Sequence, residues 1–408
     1  MRVIDQYSAP AVCLSLAVLI IMVFFPTTAC TGDWPSYGGP DRNWISKESG
    51  WASKWPDEGP TKLWEQEVGI GFSSFSVSQG RVYTMGWADD KDTVFCFDAE
   101  TGKVIWTHSY AAPLLDKYYE GGPGGTPTVD DGRVYTMSKV GNFFCLDAAT
   151  GKVIWSKDLA QELEAKIPEW AFAGSALIEG DWVIIEVGVI AAFDKIKGDL
   201  VWKTENYASA YSSPIAADLD GTRCLASFPE YGLVISDMKT GKELAKHRWE
   251  TRYGVNAATP LHVGNKFFIS SGYGKGCALL EVQLGKEPVV LWQSKKMRNH
   301  FNTSVIHQGF IYGFDEDTLR CLEFDTGKVR WAQEDLGKGS LMLADGILIV
   351  LSEKGELLTV TPSPDGFQEI SRAQVLGGKC WTVPVLANGR IYCRNAAGNV
   401  VCVDVKNK

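Results

Sequence analysis

Histidine is scarce in this chain, five in 408 residues, and none of the five shows the short spacing of a metal site. No Gly-x-Ser-x-Gly elbow is present to expose a nucleophile. The glycine-rich stretch 121–127 lacks the Lys-Ser/Thr pair and the following helix that a phosphate loop needs. No run of like charge occurs and the net charge is −9. That excludes a nucleic-acid partner, which would require a concentrated positive surface. With 45% hydrophobic residues the chain is not a disordered one, and it is long enough to bury a large core.

The first thirty residues differ from the rest. Arg2 precedes an apolar run at residues 11–25, which is followed by Pro26 and the small residues Thr27, Thr28 and Ala29. Fifteen residues are short for a span of about twenty, and a short apolar core with a small-residue exit is the pattern of an export signal. An uncleaved anchor is the alternative. Cys30, directly after Ala29, resembles a bacterial lipoprotein site, where the cysteine is acylated and tethers the protein to a membrane. The expected division is therefore a signal over residues 1–29, an extended arm over 30–62 and a repeat domain over 63–408.

That domain is one unit written eight times. The segments starting at Ser76 and Thr128 share the frame GRVYTM, then FCFD or FCLD, then TGKVIW. A turn ending in glycine recurs eight times between Gly80 and Gly389 at a mean spacing of about 44 residues, which suits a four-stranded propeller blade. Glycine there supplies the positive φ of a tight hairpin. The period-two alternation of RVYTM and FIYGF buries one face of a strand.

Tryptophan closes six repeats, at Trp106, Trp155, Trp202, Trp249, Trp292 and Trp331, and the seventh has lost it. Indoles at equivalent places wedge between blades, each burying on the order of 200 Å². The eighth repeat supplies three strands and runs out, whereas residues 62–68 near the N-terminus match its missing fourth, with Trp64 in the tryptophan place. Adding that strand closes the ring and leaves no long exposed edge. The sequence thus predicts an all-β, eight-bladed β-propeller, monomeric and sealed by an N-terminal strand. Cys96, Cys145, Cys321 and Cys402 fall at one repeat position; in separate blades they are too far apart to bridge and are expected to be packed thiols. Cys380 and Cys393 are candidates for a disulfide within one blade.

The unit Asp98-Ala99-Glu100-Thr101-Gly102-Lys103-Val104-Ile105-Trp106, repeated from Asp147 to Trp155, resembles the repeats of quinoprotein (PQQ-like) propellers. These include quinoprotein dehydrogenases and BamB-like outer-membrane-assembly lipoproteins. The BamB-like resemblance implies an exported scaffold, periplasmic or on the outer membrane, that binds protein partners in the cell envelope and needs no cofactor. The dehydrogenase resemblance implies pyrroloquinoline quinone (PQQ) with Ca²⁺ on the propeller axis and an alcohol- or sugar-oxidising activity. Against catalysis stand the absence of an adjacent Cys-Cys pair and of a Cys-x-x-Cys-His haem site. A binding scaffold is the preferred reading, and no catalytic or metal-ligating residue is assigned.

Residues just before the inner strands converge on the propeller axis and line a common funnel. There a quinone, a glycan or another small molecule would meet Trp170, Tyr211, Asn256, His300, Asn302 and Trp381. The longer insertions between blades, 111–124 and 158–173, offer Tyr118, Tyr119 and Trp170 as anchors for a protein partner.

Overall fold

The computed structural model describes residues 1–2 and 32–407; the rest of the expected signal segment and Cys30 lie outside them. Eight sheets follow one another in chain order, each with four antiparallel strands, seven of them built from consecutive strands. Blade 1 comprises Ser76–Ser78, Arg81–Ala88, Lys91–Asp98 and Val104–Ala111. Blades 2 to 6 repeat the plan and end on the outer strands Val153–Asp158, Leu200–Asn206, Glu243–Arg248, Val289–Ser294 and Val329–Gln333. Blade 7 ends on Gln368–Gln374. Blade 8 has only Val385–Ala387, Arg390–Arg394 and Asn399–Asp404, and its outer strand is Thr61–Glu67. That strand pairs antiparallel with Asn399–Asp404, Trp64 opposite Cys402. The ring is closed as the repeats require.

The wedge between blades has a specific geometry. Trp64 donates its indole N–H to the Ala99 carbonyl of the next blade at 3.1 Å. Trp106 does the same to Ala148 at 3.0 Å, and Trp292 to Phe324 at 2.9 Å. The receiving corner must be glycine. Gly151 sits at φ +72°, and a Cβ there would lie 2.5 Å from the Trp106 ring, far inside contact distance. This explains why Thr-Gly-Lys and Trp recur together: the glycine of one blade is shaped for the indole of the blade before it.

The structure corrects one tryptophan. Trp249 lies one residue beyond the strand Glu243–Arg248, buried, with its indole N–H on Ser271 Oγ at 3.1 Å. The wedge place in blade 4 belongs to Ala245, opposite Ile235, and in blade 7 to Ser371, opposite Thr359. Six outer strands, not seven, carry the indole. The candidate disulfide is also corrected: Cys380 and Cys393 are free buried thiols, as are the other six cysteines among the described residues.

The N-terminal arm threads the axis. Trp34 exchanges two 2.8 Å backbone bonds with Val77 of blade 1. Arg42, buried, donates to the carbonyls of Ala176 (2.7 Å) and Ser175 (3.1 Å) of blade 3. Ile45–Ser46 then adds in parallel to the inner strand Ser340–Ala344 of blade 7. The arm crosses the channel and stops it from one end. Burial pushes the Arg42 guanidinium down to about 10, since no carboxylate among the described residues pairs with it and two backbone carbonyls are its partners.

Candidate functional site

Inner strands run from an upper face, where the loops before them lie, to a lower face carrying the glycine turns. The arm stops the channel from below, so the upper end is a blind funnel of about 440 Å³, and Tyr37 of the arm contributes to its lining. Around the mouth, aromatic rings form a nearly unbroken belt. Phe72 lies 5.8 Å from Tyr119 and 5.9 Å from Trp381. Phe301 sits 4.5 Å from Trp381 and 5.0 Å from His300. Tyr273 meets His300 edge-on at 4.5 Å and stacks on Trp170 at 6.0 Å and 10°. The Tyr119 hydroxyl donates to the Trp170 carbonyl at 3.1 Å and completes the circuit. Tyr211, also in the lining, lies 5.9 Å from Trp170, its hydroxyl accepting the Trp170 backbone N–H at 3.3 Å.

Most of these rings are half-buried. One part of the ring is packed against protein and another faces the cavity, which is how an aromatic binding surface keeps both order and exposed area. The segments that carry them are held by short elements. After blade 2, the helix Leu159–Glu162 is capped by Asp158, whose carboxylate accepts the Gln161 N–H at 3.1 Å, and the chain then turns to present Trp170.

The polar wall lies between blades 6 and 8. His300 Nδ1 is 2.8 Å from Lys338 Nζ and 3.2 Å from Glu316 Oε2. Burial tends to raise the Glu316 carboxyl, but the His300 hydrogen bond and the charges of His300, Lys338 and Arg298 outweigh it and hold the group below its ordinary value. Glu353 accepts the Trp381 indole N–H at 2.9 Å and the Lys338 backbone N–H at 3.2 Å. Lys379 Nζ lies 4.3 Å from the centre of the Trp381 ring and pairs with Glu120 at 2.6 Å. The three carboxylates Glu316, Glu353 and Glu120 are thus engaged in positioning rings and cations. No group of three or more His, Cys, Asp and Glu residues arranged to hold a metal occurs among the described residues.

Of the residues singled out in the sequence, Trp170, Tyr211, His300, Asn302 and Trp381 line the funnel, and so do Tyr118 and Tyr119. The small-molecule candidates and the partner-docking candidates therefore share one site. Asn302 is mostly committed, its amide donating to the Gly339 carbonyl at 3.0 Å. Asn256 is not part of the lining. It is fully buried, donates to the Pro229 carbonyl at 2.8 Å and accepts from Ser271 Oγ at 2.8 Å; it ties blade 4 to blade 5. Tyr37, Tyr273 and Lys338 line the funnel without having been singled out. Tyr273 follows the second strand of blade 5 in the segment SGYGKG, and an aromatic in that glycine-rich hairpin was the available signal.

Known proteins resemble this chain over most of its length. A curated relative, the outer membrane protein assembly factor BamB of Yersinia pestis, is 24% identical over 371 residues, covering 84% of this chain and 88% of the relative. The crystal structure of BamB from Moraxella catarrhalis superposes with a TM-score of 0.62 at 19% identity, over 86% of this chain and 99% of that one. A quinohemoprotein alcohol dehydrogenase from Comamonas testosteroni superposes with a TM-score of 0.66 at 14% identity, over 93% of this chain and 81% of that one. At such identities the superpositions establish the fold and leave the activity open. The family described as outer membrane protein assembly factor BamB matches residues 51–123 and 116–333, more than half of the chain, and the protein belongs to this family of PQQ-like β-propellers.

Proposed function

We propose that the chain is an exported scaffold of the cell envelope that docks partner proteins on the aromatic mouth of its funnel. The observation that carries this reading is the belt itself. Rings from several blades frame one opening, and Tyr118, 81% exposed, stands on its lip. Aromatic anchors around a cavity are the residue class that dominates protein-binding energetics. Membership of the BamB family supports both the envelope setting and a role in assembly.

Photo-crosslinking tests it. A photoreactive residue replacing Tyr118 is expected to capture outer-membrane-assembly proteins in the intact envelope, whereas one replacing Lys286, on the lower face, captures none of them. Adding Trp170→Ala should abolish the Tyr118 adducts. Adducts that are the same at both positions would contradict the proposal.

The second reading is a quinone-dependent dehydrogenase, favoured by the fold likeness to the Comamonas enzyme. Calcium takes six to eight oxygen ligands. Here Glu316 and Glu353 are occupied by His300, Lys338 and Trp381, so the residues present do not fit a calcium–quinone centre. Stoichiometric uptake of PQQ with Ca²⁺, coupled to dye reduction by an alcohol, would establish it in place of the scaffold.

A further inference from the structure

The lower face carries a feature that neither the funnel nor the blade wedges use. In the ring, blades 8, 1, 2 and 3 are consecutive, and each begins its outer strand with exposed apolar residues. These are Leu63, then Val104 and Ile105, Val153 and Ile154, and Leu200 and Val201, all between 40% and 50% exposed. The same places in blades 4, 6 and 7 hold Glu243 with Leu244, Val329 with Arg330, and Glu369 with the half-buried Ile370. Blade 5 has Val290 and Leu291 in these same places, with Val289 beside them, but blade 4 separates it from the other four. Single exposed apolar residues are ordinary, but a stripe running over four neighbouring blades is not.

The path of the chain points to what covers it. Lysine does not single these blades out: Lys62, Lys103 and Lys152 stand beside the first three stretches, Asp199 beside Leu200, and Lys242 and Lys328 hold the same place in blades 4 and 6. The chain enters the fold at this same face. Asp33 accepts the Gln79 N–H at 3.0 Å and the Asn388 side-chain N–H at 3.0 Å, and both residues belong to lower-face glycine turns of blades 1 and 8. The corner before each outer strand is at that face too, as the Ala99 N–H to Gly80 carbonyl bond of 2.9 Å shows. Only three residue steps separate Asp33 from Cys30, a reach of about 10 Å when fully extended. The apolar run ending at Phe25 is eight steps away, about 28 Å at most. A tether at Cys30 would therefore hold this end, not the funnel, against the bilayer.

We propose that the lower rim of blades 8, 1, 2 and 3 lies directly on a lipid surface, its apolar pairs in the headgroup region, and that the funnel consequently opens away from the membrane. The inference rests on the envelope placement proposed above, but not on protein docking at the funnel.

The full chain is reconstituted in phosphatidylethanolamine and phosphatidylglycerol vesicles containing a small fraction of phospholipid with a diazirine in its acyl chain. After irradiation, adducts are mapped by mass spectrometry. The expected result is labelling at residues 104–105, 153–154 and 200–201, with none at 329–330 or 369–370. A triple variant, Ile105→Glu, Ile154→Glu and Val201→Glu, should cut that labelling at least tenfold while its melting temperature is unchanged. Adducts confined to residues before 33, spread evenly round the rim, or replaced by concentration-dependent contacts between copies would each overturn the proposal. The Tyr118 crosslinks should persist in the triple variant, so failure here is separable from failure of the docking role.

Discussion

Cys96 lies directly across one strand pair from Trp106 and directly across the other from Tyr83, and the two rings that bracket it are 5.9 Å apart. The same row recurs as Tyr135–Cys145–Trp155, Tyr312–Cys321–Trp331 and Tyr392–Cys402–Trp64. A small, polarizable side chain is what fits between two large rings. Burial pushes the Cys96 thiol up to about 12, so it is neither nucleophile nor redox group at neutral pH. Cys96→Leu overfills the row and should cost about 1–3 kcal/mol, whereas Cys96→Ala should cost about 1 kcal/mol; denaturant midpoints at fixed m-value measure both.

The indole-and-glycine wedge predicts a contrast between two chemically identical substitutions. Gly151→Ala puts a methyl group into the Trp106 ring at a positive φ and should cost about 2–4 kcal/mol. Gly285→Ala in blade 5 meets nothing within 4 Å, because the preceding blade has Ala245 in the wedge place. Its cost should be the backbone strain alone, about 1 kcal/mol. Equal losses in thermal or denaturant unfolding would mean that the glycine is kept for its φ and not for the ring.

Glu186 predicts a pH dependence. It is fully buried, and burial raises its carboxyl to about 8 against weak opposition from the Phe228 N–H at 3.3 Å and the Ser212 hydroxyl at 3.5 Å. The folded chain keeps this proton while the unfolded chain loses it near pH 4.3. Between those values the unfolded state binds fewer protons, so this group's contribution is fully present below about pH 4 and is lost as pH rises toward 8. Glu186→Gln should therefore stabilise the protein by about 1–3 kcal/mol at pH 8.5 and change little at pH 4.5. Calorimetric melting of both forms across that range checks the sign.

The fold was legible because a repeat multiplies each local signal. Eight glycine turns and the stray strand around Trp64 determine the ring, since only closure pairs every strand. Trp249 misled because spacing from the corner, not order in the chain, sets the wedge place: Trp106 and Trp155 follow their corner Asp98 and Asp147 by eight residues, and the eighth after Asp237 is Ala245. At the site, five of the six residues assigned to the funnel do line it, since converging strands bring the segments before them together whatever their identity. Asn256 was misplaced because a buried amide satisfies its neighbours' backbone groups first. Tyr37 was invisible as a funnel residue: an arm crossing the axis leaves no trace in the periodicity of the repeats.

That the aromatic mouth is the working surface is tested most directly by restoring function in a host strain that lacks this gene. The double variant Trp170→Ala and Phe301→Ala removes half-exposed rings, and its melting temperature should stay within a few degrees of the parent, about the effect expected of partly buried side chains. Outer-membrane protein levels should recover with the parent chain and with Val290→Ala, and should remain depressed with the double variant. Full recovery with the double variant, folded and present at parental abundance, would contradict the account.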